Sequence, residues 1–261
     1  MSKEIPDYVP GHNLLAGKSV LITAAAGAGI GFAAAKKAIE EGASKLFIAD
    51  IHEGRLAKAA EALAETAGFE VHSQLCNVTV EDDVQSLVNT AIETMGHVDV
   101  LINNAGLGGS KLLVDMQDDE WDRVIDVTLN GTMRMTRAMM KHMQSRRSGV
   151  IVNNASVLGW RAQVEQTHYA AAKAGVMALT RCAALEAAEY GVRINAVSPS
   201  IAVHEFLKKT SSEELLADLV KHEAFGRGAE VWEVANVMMF LASDYSSYMT
   251  GEIVSCSSQR S

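Results

Sequence analysis

The chain has 261 residues, 48% of them hydrophobic, which is enough to bury a sizeable core in a single domain. A formal net charge of -9 disfavours nucleic acid and anionic membranes as partners, because phosphate binding requires clustered Lys and Arg. No apolar run approaches the ~20 residues that a membrane span needs.

The three cysteines, Cys76, Cys182 and Cys256, lie far apart in the sequence. An odd number without CxxC grouping argues against a disulfide framework and a zinc site, so we expect no metal and a reducing compartment. The first ten residues carry acids and prolines where a signal peptide has a basic start and an apolar core. We therefore expect a cytoplasmic protein.

In chain order, an irregular leader is predicted over residues 1–16, where Pro6, Pro10 and Gly11 interrupt regular structure. Short apolar, β-rich segments then alternate with longer helical patterns. The predicted strands cover residues 18–23, 45–49, 71–76, 98–102, 150–153, 193–197 and 252–256. The predicted helices cover residues 30–41, 53–67, 81–95, 121–143 with a start near Asp118, 167–190 and 230–243.

This alternation predicts one doubly wound α/β domain over residues 17–261, a Rossmann domain with a parallel seven-stranded sheet and helices on both faces. Ligands bind such sheets outside the carboxyl ends of the strands, so the loops there are the candidate sites. Residues 200–228 interrupt the alternation with a charged, partly helical insertion, which we interpret as a substrate lid.

A glycine-rich loop, Ala-Ala-Ala-Gly-Ala-Gly-Ile-Gly, occupies residues 24–31 between the first predicted strand and helix. Its glycines let the backbone approach a pyrophosphate, and the helix start offers free amides to that anion. The alternative is an ordinary tight turn. Asp50 ends the second strand, where an acid bonds a ribose diol and repels a 2′-phosphate, which favours NAD over NADP. The nearby Arg55 opposes this inference.

Ser156, Tyr169 and Lys173 follow the fifth predicted strand. Tyr169 and Lys173 are four residues apart in an Ala-rich helical segment, so both side chains emerge on one face. A nearby ammonium favours the phenolate, so we expect Lys173 to lower the pKa of Tyr169 towards the range of acid–base catalysis. Ser156 would hold a carbonyl oxygen in front of that phenol. The alternative is an ordinary helix surface.

Together with Asn-Asn-Ala-Gly at residues 103–106, these motifs resemble the short-chain dehydrogenase/reductase family from about Ala16 to the C-terminus. The resemblance implies that hydride passes between nicotinamide and a secondary alcohol or ketone. Tyr169 would exchange the proton, Lys173 would bond the nicotinamide ribose and Ser156 would orient the substrate. The cofactor-binding residues that it implies are Ala25, Gly27, Ala28, Gly29, Ile30, Gly31, Asp50, Asn77, Val78, Asn104, Ala105, Gly106, Tyr169, Lys173, Pro199 and Ile201.

Several positions depart from the family pattern. Ala24 and Ala25 replace its usual Thr-Gly, and because a methyl group at Ala25 limits positive φ, we expect a different first turn. Asn77 replaces an acid but can still bond an adenine amino group through its carbonyl. Thr128 takes the place of the fourth catalytic residue, an Asn. Asn130 lies about 200° further round a helix and cannot simply substitute.

The predicted substrate site combines an apolar wall with a few cations, which suits a bulky carbonyl compound on an anionic carrier such as a coenzyme A thioester. The pattern also looks like reductases of bacterial steroid-ring catabolism that act on fused-ring acyl-CoA compounds. In the lid, His204 stands where the family has a Thr that contacts the cofactor. The candidate substrate-binding residues are Trp160, Arg161, Gln163, His204 and Phe206.

Apolar residues cover several faces of the predicted helices 121–143 and 169–190, and in the family these helices pack together in a homotetramer. Two other functions remain open. An NADP-dependent 3-oxoacyl carrier-protein reductase is disfavoured by Asp50. A redox-sensing protein that binds the dinucleotide without chemistry is disfavoured by the intact catalytic motif.

Overall fold

A computed structural model describes residues 5–203, 207 and 213–258 of the chain. The strands are β1 (Ser19–Thr23), β2 (Lys45–Asp50), β3 (Val71–Leu75), β4 (Val100–Asn103), β5 (Gly149–Asn154), β6 (Val192–Pro199), β7 (Ala202–Val203), β8 (Ala229–Glu230) and β9 (Ile253–Cys256). The helices are α1 (Ile30–Glu40), α2 (Glu53–Ala67), α3 (Glu81–Met95), α4 (Asp118–Ile125), α5 (Gly131–Arg146), α6 (Thr167–Ala188), α7 (Glu213–Lys221) and α8 (Val231–Ala242). None of the helices in these ranges is both long enough and apolar enough to cross a lipid bilayer.

Seven of the strands form one parallel sheet in the order β3-β2-β1-β4-β5-β6-β9. The chain order reverses between β1 and β4, which pair through Ile22 and Ile102. A reversal of this kind opens a crevice at the carboxyl ends of the two strands. The predicted doubly wound sheet of seven parallel strands is confirmed.

Side chains of β1 alternate between two apolar layers, because successive side chains of a strand point to opposite faces. Ile22 enters a layer built with α1, α2 and α8, whereas Leu21 enters a layer built with α3, α5 and α6. Helices therefore cover both faces of the sheet, as predicted, and only its ends and loops are open to a ligand.

The helix predicted over residues 121–143 is interrupted. A π turn over Asp126–Asn130 separates α4 from α5, and the N–H of Gly131 donates to the carbonyl of Asp126, five residues earlier. A Cβ added at Gly131 would lie 2.6 Å from Val78 Cγ2, so glycine permits the close approach of α5. The expectation of one continuous helix was wrong, because apolar periodicity does not register a single inserted residue.

Residues 5–18 contain no helix or strand and lie against α1 and α8. The carboxylate of Glu41 accepts a hydrogen bond from the backbone N–H of Leu14 at 3.1 Å. The ring of Tyr8 packs edge-on against Trp232 of α8, with the ring centroids 5.2 Å apart. This segment therefore ties the two helices together on the outside of the domain.

Within residues 200–228, the described part includes β7 and α7. β7 pairs in parallel with β8, with Ala202 opposite Ala229, and forms a small second sheet. His204 and Phe206, two of the predicted substrate-binding residues, lie outside the described residues.

Candidate active site

The dipeptide Asn-Asn lies at the carboxyl ends of two neighbouring strands, where it closes β5 and spans the last residue of β4 and the first residue after it. Asn103 of β4 lies opposite Asn153 of β5, and its Nδ2 donates to Asn153 Oδ1 at 2.9 Å. Asn154 Nδ2 donates to Asn104 Oδ1, also at 2.9 Å. Because side chains alternate along a strand, these two bonds join β4 and β5 on opposite faces of the sheet. The loops that follow both strands are thereby held at fixed positions.

The first amide pair also fixes two helices. Asn103 Nδ2 donates to Thr136 Oγ1 of α5 at 3.1 Å, and Asn153 Nδ2 donates to Thr180 Oγ1 of α6 at 2.9 Å. All four side chains are buried. Buried polar groups that are paired in this way define one arrangement of the surrounding elements, so the strand ends set the position of α6.

The glycine-rich loop begins with a turn in which an alanine takes the left-handed backbone conformation. Positive φ falls on Ala24, at 51°, and on Gly27, at 103°, while Ala25 is fully buried. The carbonyl of Ala24 accepts a hydrogen bond from Asn104 Nδ2 at 3.0 Å. A Cβ added at Gly31 would lie only 2.2 Å from the same carbonyl oxygen. Gly31 therefore lets α1 begin directly against this turn.

The loop has the shape and donors to hold a pyrophosphate. A Cβ added at Gly27 or Gly29 would meet no atom within 4 Å, so the backbone there borders open space. No side chain caps α1, which leaves the amides of its first turn, starting at Ile30, available to an anion. Ala28, between the two glycines, is exposed. These residues fit the dinucleotide that the sequence predicts.

Asp50 is buried at the end of β2. Its carboxylate accepts hydrogen bonds from the backbone N–H groups of Ala26 and His52, both at 3.1 Å. Burial raises the pKa of Asp50, and the Ala26 N–H and the charge of Arg55 oppose that shift. Each carboxylate oxygen keeps a further lone pair, so Asp50 can brace the loop and still accept from a ribose hydroxyl.

The three predicted catalytic residues come together at the carboxyl end of β5. Lys173 Nζ lies 5.5 Å from the centroid of the Tyr169 ring, one turn earlier on α6, and donates to the Asn154 carbonyl at 2.6 Å. Ser156 begins a short 3₁₀ turn after β5, and its Oγ accepts from the N–H of Leu158 at 3.3 Å. The spacing of four residues therefore places the phenol and the amine on one face, as predicted.

The electrostatics of the pair differ from the prediction. Burial raises the pKa of Tyr169 to about 12, and the Ser156 hydroxyl opposes this only in part. Burial also lowers the pKa of Lys173 to about 8. The expectation of a Tyr169 pKa lowered towards the range of acid–base catalysis was wrong, because desolvation drives both groups towards their neutral forms.

Thr128 is buried on the π turn and holds the loop after β4. Its Oγ1 accepts from the N–H of Leu107 at 2.9 Å and donates to the carbonyl of the same residue at 3.1 Å. The carbonyl of Thr128 accepts the Thr132 hydroxyl at 2.8 Å. Asn130 Nδ2 donates to Asp126 Oδ1 at 3.0 Å. Both candidates for the fourth catalytic position are thus bonded to other parts of the protein.

The loop after β4 passes directly over the buried amine. Thr23 Oγ1 accepts the backbone N–H groups of Asn104 and Ala105 at 3.0 and 3.2 Å, which fixes the start of this loop. A Cβ added at Gly106 would lie 3.4 Å from Lys173 Nζ. The Asn-Asn-Ala-Gly motif therefore forms one wall of the site, and the absence of a side chain at Gly106 leaves room beside Lys173.

The other predicted cofactor residues lie at neighbouring strand ends. Asn77 Oδ1, which was expected to meet an adenine amino group, already accepts the backbone N–H and the hydroxyl of Thr79 at 3.1 and 2.9 Å. Val78 is buried against Gly131. Pro199 ends β6, and the Ile201 carbonyl accepts a backbone hydrogen bond from the start of β8 at 2.8 Å.

Exposed apolar side chains lie on the two loops beside Tyr169. Gly108 of the loop after β4 lies against the Tyr169 ring, with an added Cβ 3.6 Å from Cδ2. A backbone hydrogen bond of 3.1 Å from Lys111 to Glu165 joins this loop to the one before α6. The exposed side chains on the two loops are Leu112, Leu113, Val114, Trp160 and Val164.

Of the predicted substrate residues on these loops, Trp160 is half exposed, Gln163 is half-buried and the Arg161 N–H donates to the Val157 carbonyl at 2.9 Å. Sequence reasoning missed the apolar run at residues 112–114, although three consecutive apolar residues between a strand end and a helix were a visible signal. It also missed Asn154, whose signal was the repetition of Asn-Asn-Ala after two strands.

In the described part of the chain, the three cysteines are free thiols. The same residues contain no group of three or more His, Cys, Asp or Glu side chains arranged to hold a metal ion. The polar side-chain groups around the ends of β4 and β5 are hydroxyl, amide and amine groups.

A family model described as "Enoyl-(Acyl carrier protein) reductase" matches residues 24–258. The chain belongs to the short-chain dehydrogenase/reductase family. Members of the short-chain dehydrogenase/reductase family use nicotinamide dinucleotides, and the loop geometry described above fits such a cofactor. The chain is therefore an oxidoreductase of this family.

Three known proteins illustrate where it stands among short-chain dehydrogenases/reductases. It is 58% identical over 255 residues to the (5R,7aS)-5-hydroxy-7a-methyl-1-oxo-2,3,5,6,7,7a-hexahydro-1H-indene-carboxyl-CoA reductase of Mycobacterium tuberculosis, covering 97% of each chain. It is 38% identical to a 3-oxoacyl-(acyl-carrier-protein) reductase of Thermotoga maritima, covering 92% of this chain and 96% of the relative. A crystal structure of a short chain dehydrogenase from Mycobacterium smegmatis is 55% identical, with a TM-score of 0.89 and 99% of each chain covered.

Proposed function

We propose that this short-chain dehydrogenase/reductase uses NAD to interconvert a secondary alcohol and a ketone on a bulky alicyclic, steroid-derived acyl-CoA. The observation that carries the proposal is the placement of Ser156, Tyr169 and Lys173 together at the end of β5, beside a loop that fits a pyrophosphate. A protein that only sensed the dinucleotide would need the loop but not a phenol beside a buried amine.

The three side chains divide the work as follows. The bound nicotinamide supplies or accepts the hydride. In ketone reduction, Ser156 Oγ donates a hydrogen bond to the substrate oxygen, on which negative charge develops. Tyr169 is protonated at neutral pH, since its pKa is about 12, and donates its proton to that oxygen. Lys173, protonated below a pKa of about 8, stabilises the phenolate that remains.

Asp50 supports NAD over NADP. Its carboxylate is fixed at the end of β2 by two backbone N–H groups and retains lone pairs for a ribose diol. A 2′-phosphate placed there would meet a negative charge in a poorly solvated position. The charge of Arg55 is close enough to act on Asp50, and it reduces this repulsion without removing the carboxylate.

The substrate class is supported by the exposed apolar side chains beside Tyr169 and by the relative from Mycobacterium tuberculosis, whose name specifies a fused-ring carboxyl-CoA. An apolar rim with few polar groups suits a hydrocarbon ring system. The roles of Trp160, Arg161 and Gln163 in binding it, the lid at residues 200–228, a homotetrameric assembly and a cytoplasmic location belong to the same proposal.

A kinetic comparison tests the function. Purified protein is assayed with NADH and NADPH against fused-ring ketones, such as decalones, and against acetoacetyl-CoA. We expect turnover of the fused-ring ketones with NADH. Tyr169→Phe should lower kcat about 10³-fold, because general acid catalysis contributes on that order. Tyr190→Phe, just beyond the far end of α6, is the matched control and should keep wild-type activity.

Three results would contradict the proposal. If acetoacetyl-CoA with NADPH were turned over faster than the fused-ring ketones with NADH, the result would favour a 3-oxoacyl carrier-protein reductase. Binding of NADH without turnover of any ketone or alcohol would favour a redox-sensing protein. If Tyr169→Phe reduced the ketone as fast as the wild type, Tyr169 would not be the general acid.

A further inference from the structure

A continuous chain of hydrogen bonds links the glycine-rich loop to the catalytic amine. The Ala24 carbonyl accepts from Asn104 Nδ2 at 3.0 Å, and Asn104 Oδ1 accepts from Asn154 Nδ2 at 2.9 Å. The backbone carbonyl of Asn154 then accepts from Lys173 Nζ at 2.6 Å. Asn154 is the member of this chain that touches both the loop side and the amine.

The first link fixes the orientation of both amides. A backbone carbonyl only accepts, so Asn104 must turn its NH₂ group to Ala24 and its oxygen to Asn154. Asn154 must therefore donate with its own NH₂ group. Its Oδ1 is buried and, among the described residues, has no hydrogen-bond partner. A buried amide oxygen without a partner is unfavourable, so a ligand that donates a hydrogen bond to it binds more tightly.

Thr128 and Asn130, the two residues considered for the fourth catalytic position, make their hydrogen bonds elsewhere. The Thr128 hydroxyl both accepts from and donates to the backbone of Leu107. Asn130 donates to Asp126. Within the described ranges, the partner that the structure gives Lys173 Nζ is the carbonyl of Asn154.

We propose that Asn154 is a positioning residue that sets the place of Lys173 relative to the dinucleotide loop. Its free Oδ1 accepts a hydrogen bond from a hydroxyl or amide donor of the bound dinucleotide. The inference rests on the proposed function, because it assigns Asn154 a part in holding Lys173 and the cofactor in one geometry.

The charged and titratable groups around the amine are few. The ring of Tyr169 faces Nζ, and among the described residues burial is the cause of the lowered Lys173 pKa, with no contribution from a carboxylate. A new carboxylate at position 154 would therefore act on Lys173 without competition. It should favour the ammonium form and raise the pKa of Lys173.

The first experiment uses the ligand-free protein. Lysines are dimethylated with ¹³C, and the signal of Lys173, identified by its loss in Lys173→Arg, is titrated by NMR. We expect a midpoint near 8 in the wild type and a rise of about one pH unit or more in Asn154→Asp. Asn89→Asp, the same substitution at an exposed position of α3, is the matched control and should leave the midpoint unchanged.

The second experiment measures NADH binding by fluorescence and ketone reduction. Asn154→Leu removes both the bond to Asn104 and the free acceptor. We expect the Kd for NADH to rise about fivefold or more and kcat to fall about tenfold, with the substrate KM within about threefold. The matched control is Asn89→Leu, the same substitution at an exposed position of α3, which should change the Kd and kcat by less than about twofold.

An unchanged Lys173 midpoint in Asn154→Asp overturns the inference, as does a wild-type Kd and kcat in Asn154→Leu. If Asn154→Leu does not fold, the Asn154→Asp titration decides alone. If the wild type binds NADH but reduces no ketone, the proposed function fails while the titration still measures the coupling between Asn154 and Lys173.

Discussion

We expect the buried Lys173 to lower the stability of the folded chain. Its side chain is 3% exposed, and burial lowers its pKa from 10.5 to about 8. The unfolded chain binds more protons between these pH values, so the penalty is complete below pH 8 and is relieved as the pH rises towards 10.5. We expect Lys173→Met to raise the free energy of unfolding at pH 7 by about 2 kcal/mol while abolishing turnover.

Urea denaturation at pH 7 and at pH 10.5 measures this difference, which should largely disappear at the higher pH. Lys58→Met, on the exposed side of α2, is the control and should change stability little at either pH. A Lys173→Met variant that is no more stable than the wild type at pH 7 would show that the buried ammonium carries no penalty.

The same residue shows what could be read from the sequence and what could not. The spacing of four residues predicted that Tyr169 and Lys173 share a helix face, since that spacing is a property of the helix itself. The pKa shifts depend on how far the site is closed by the Asn154 carbonyl and the loop at Gly106, which are distant in sequence. The spacing of Tyr169 and Lys173 along the helix contains no information about these contacts from other parts of the chain.

At the scale of elements, the start of α1 depends on a missing side chain. A Cβ added at Gly31 would lie 2.2 Å from the Ala24 carbonyl oxygen and 2.5 Å from Asn104 Nδ2. We expect Gly31→Ala to lower the free energy of unfolding by about 2 kcal/mol or more and to weaken NADH binding at least about tenfold, because the loop must shift. Urea denaturation and fluorescence titration measure the two effects.

Gly54→Ala is the matched control, in the first turn of α2. A Cβ there would meet no atom within 4 Å, so the substitution should be neutral or stabilise by up to about 1 kcal/mol through helix propensity. Wild-type NADH affinity in Gly31→Ala would mean that the close packing between α1 and the loop is not required for the dinucleotide site.

Strand positions were predictable to within about two residues, because buried parallel strands are short apolar runs that follow turn-forming residues. The glycine loop was predictable as well, since its chemistry lies in consecutive residues. The split of the predicted helix 121–143 was not, and neither was the close approach of Gly131 to Val78, some fifty residues earlier, where α5 begins after the π turn. Contacts of that range are not visible in a local pattern.

At the scale of the whole molecule, α6 carries a leucine that is exposed to solvent in the single chain. Leu185 is 79% exposed, near the end of a helix whose opposite face packs on the sheet. In a homotetramer that uses this helix, Leu185 would be buried between subunits. We expect Leu185→Lys to shift the protein from tetramers to smaller species in sedimentation velocity experiments.

The control variant is Glu61→Lys, which also introduces an exposed lysine. Glu61 lies on α2, which covers the other face of the sheet, so this substitution should leave the tetramer intact. A wild type that sediments as a monomer would contradict the assembly itself. A tetramer that persists in Leu185→Lys would contradict this helix as its interface.

The π turn at Asp126–Asn130 makes length, more than composition, the constrained property of this stretch. Each helical residue rotates the chain by about 100°, so one surplus residue in a regular helix would put the inward faces of α4 and α5 out of phase by that angle, and the π turn takes up this residue. Deleting one residue is therefore the change in length that this stretch accommodates, because α4 and α5 would continue as one regular helix with Thr132 and Met135 still facing the sheet. Substitutions here change one contact at a time, whereas an insertion, or a deletion of two residues, would rotate all of α5 by about 100°.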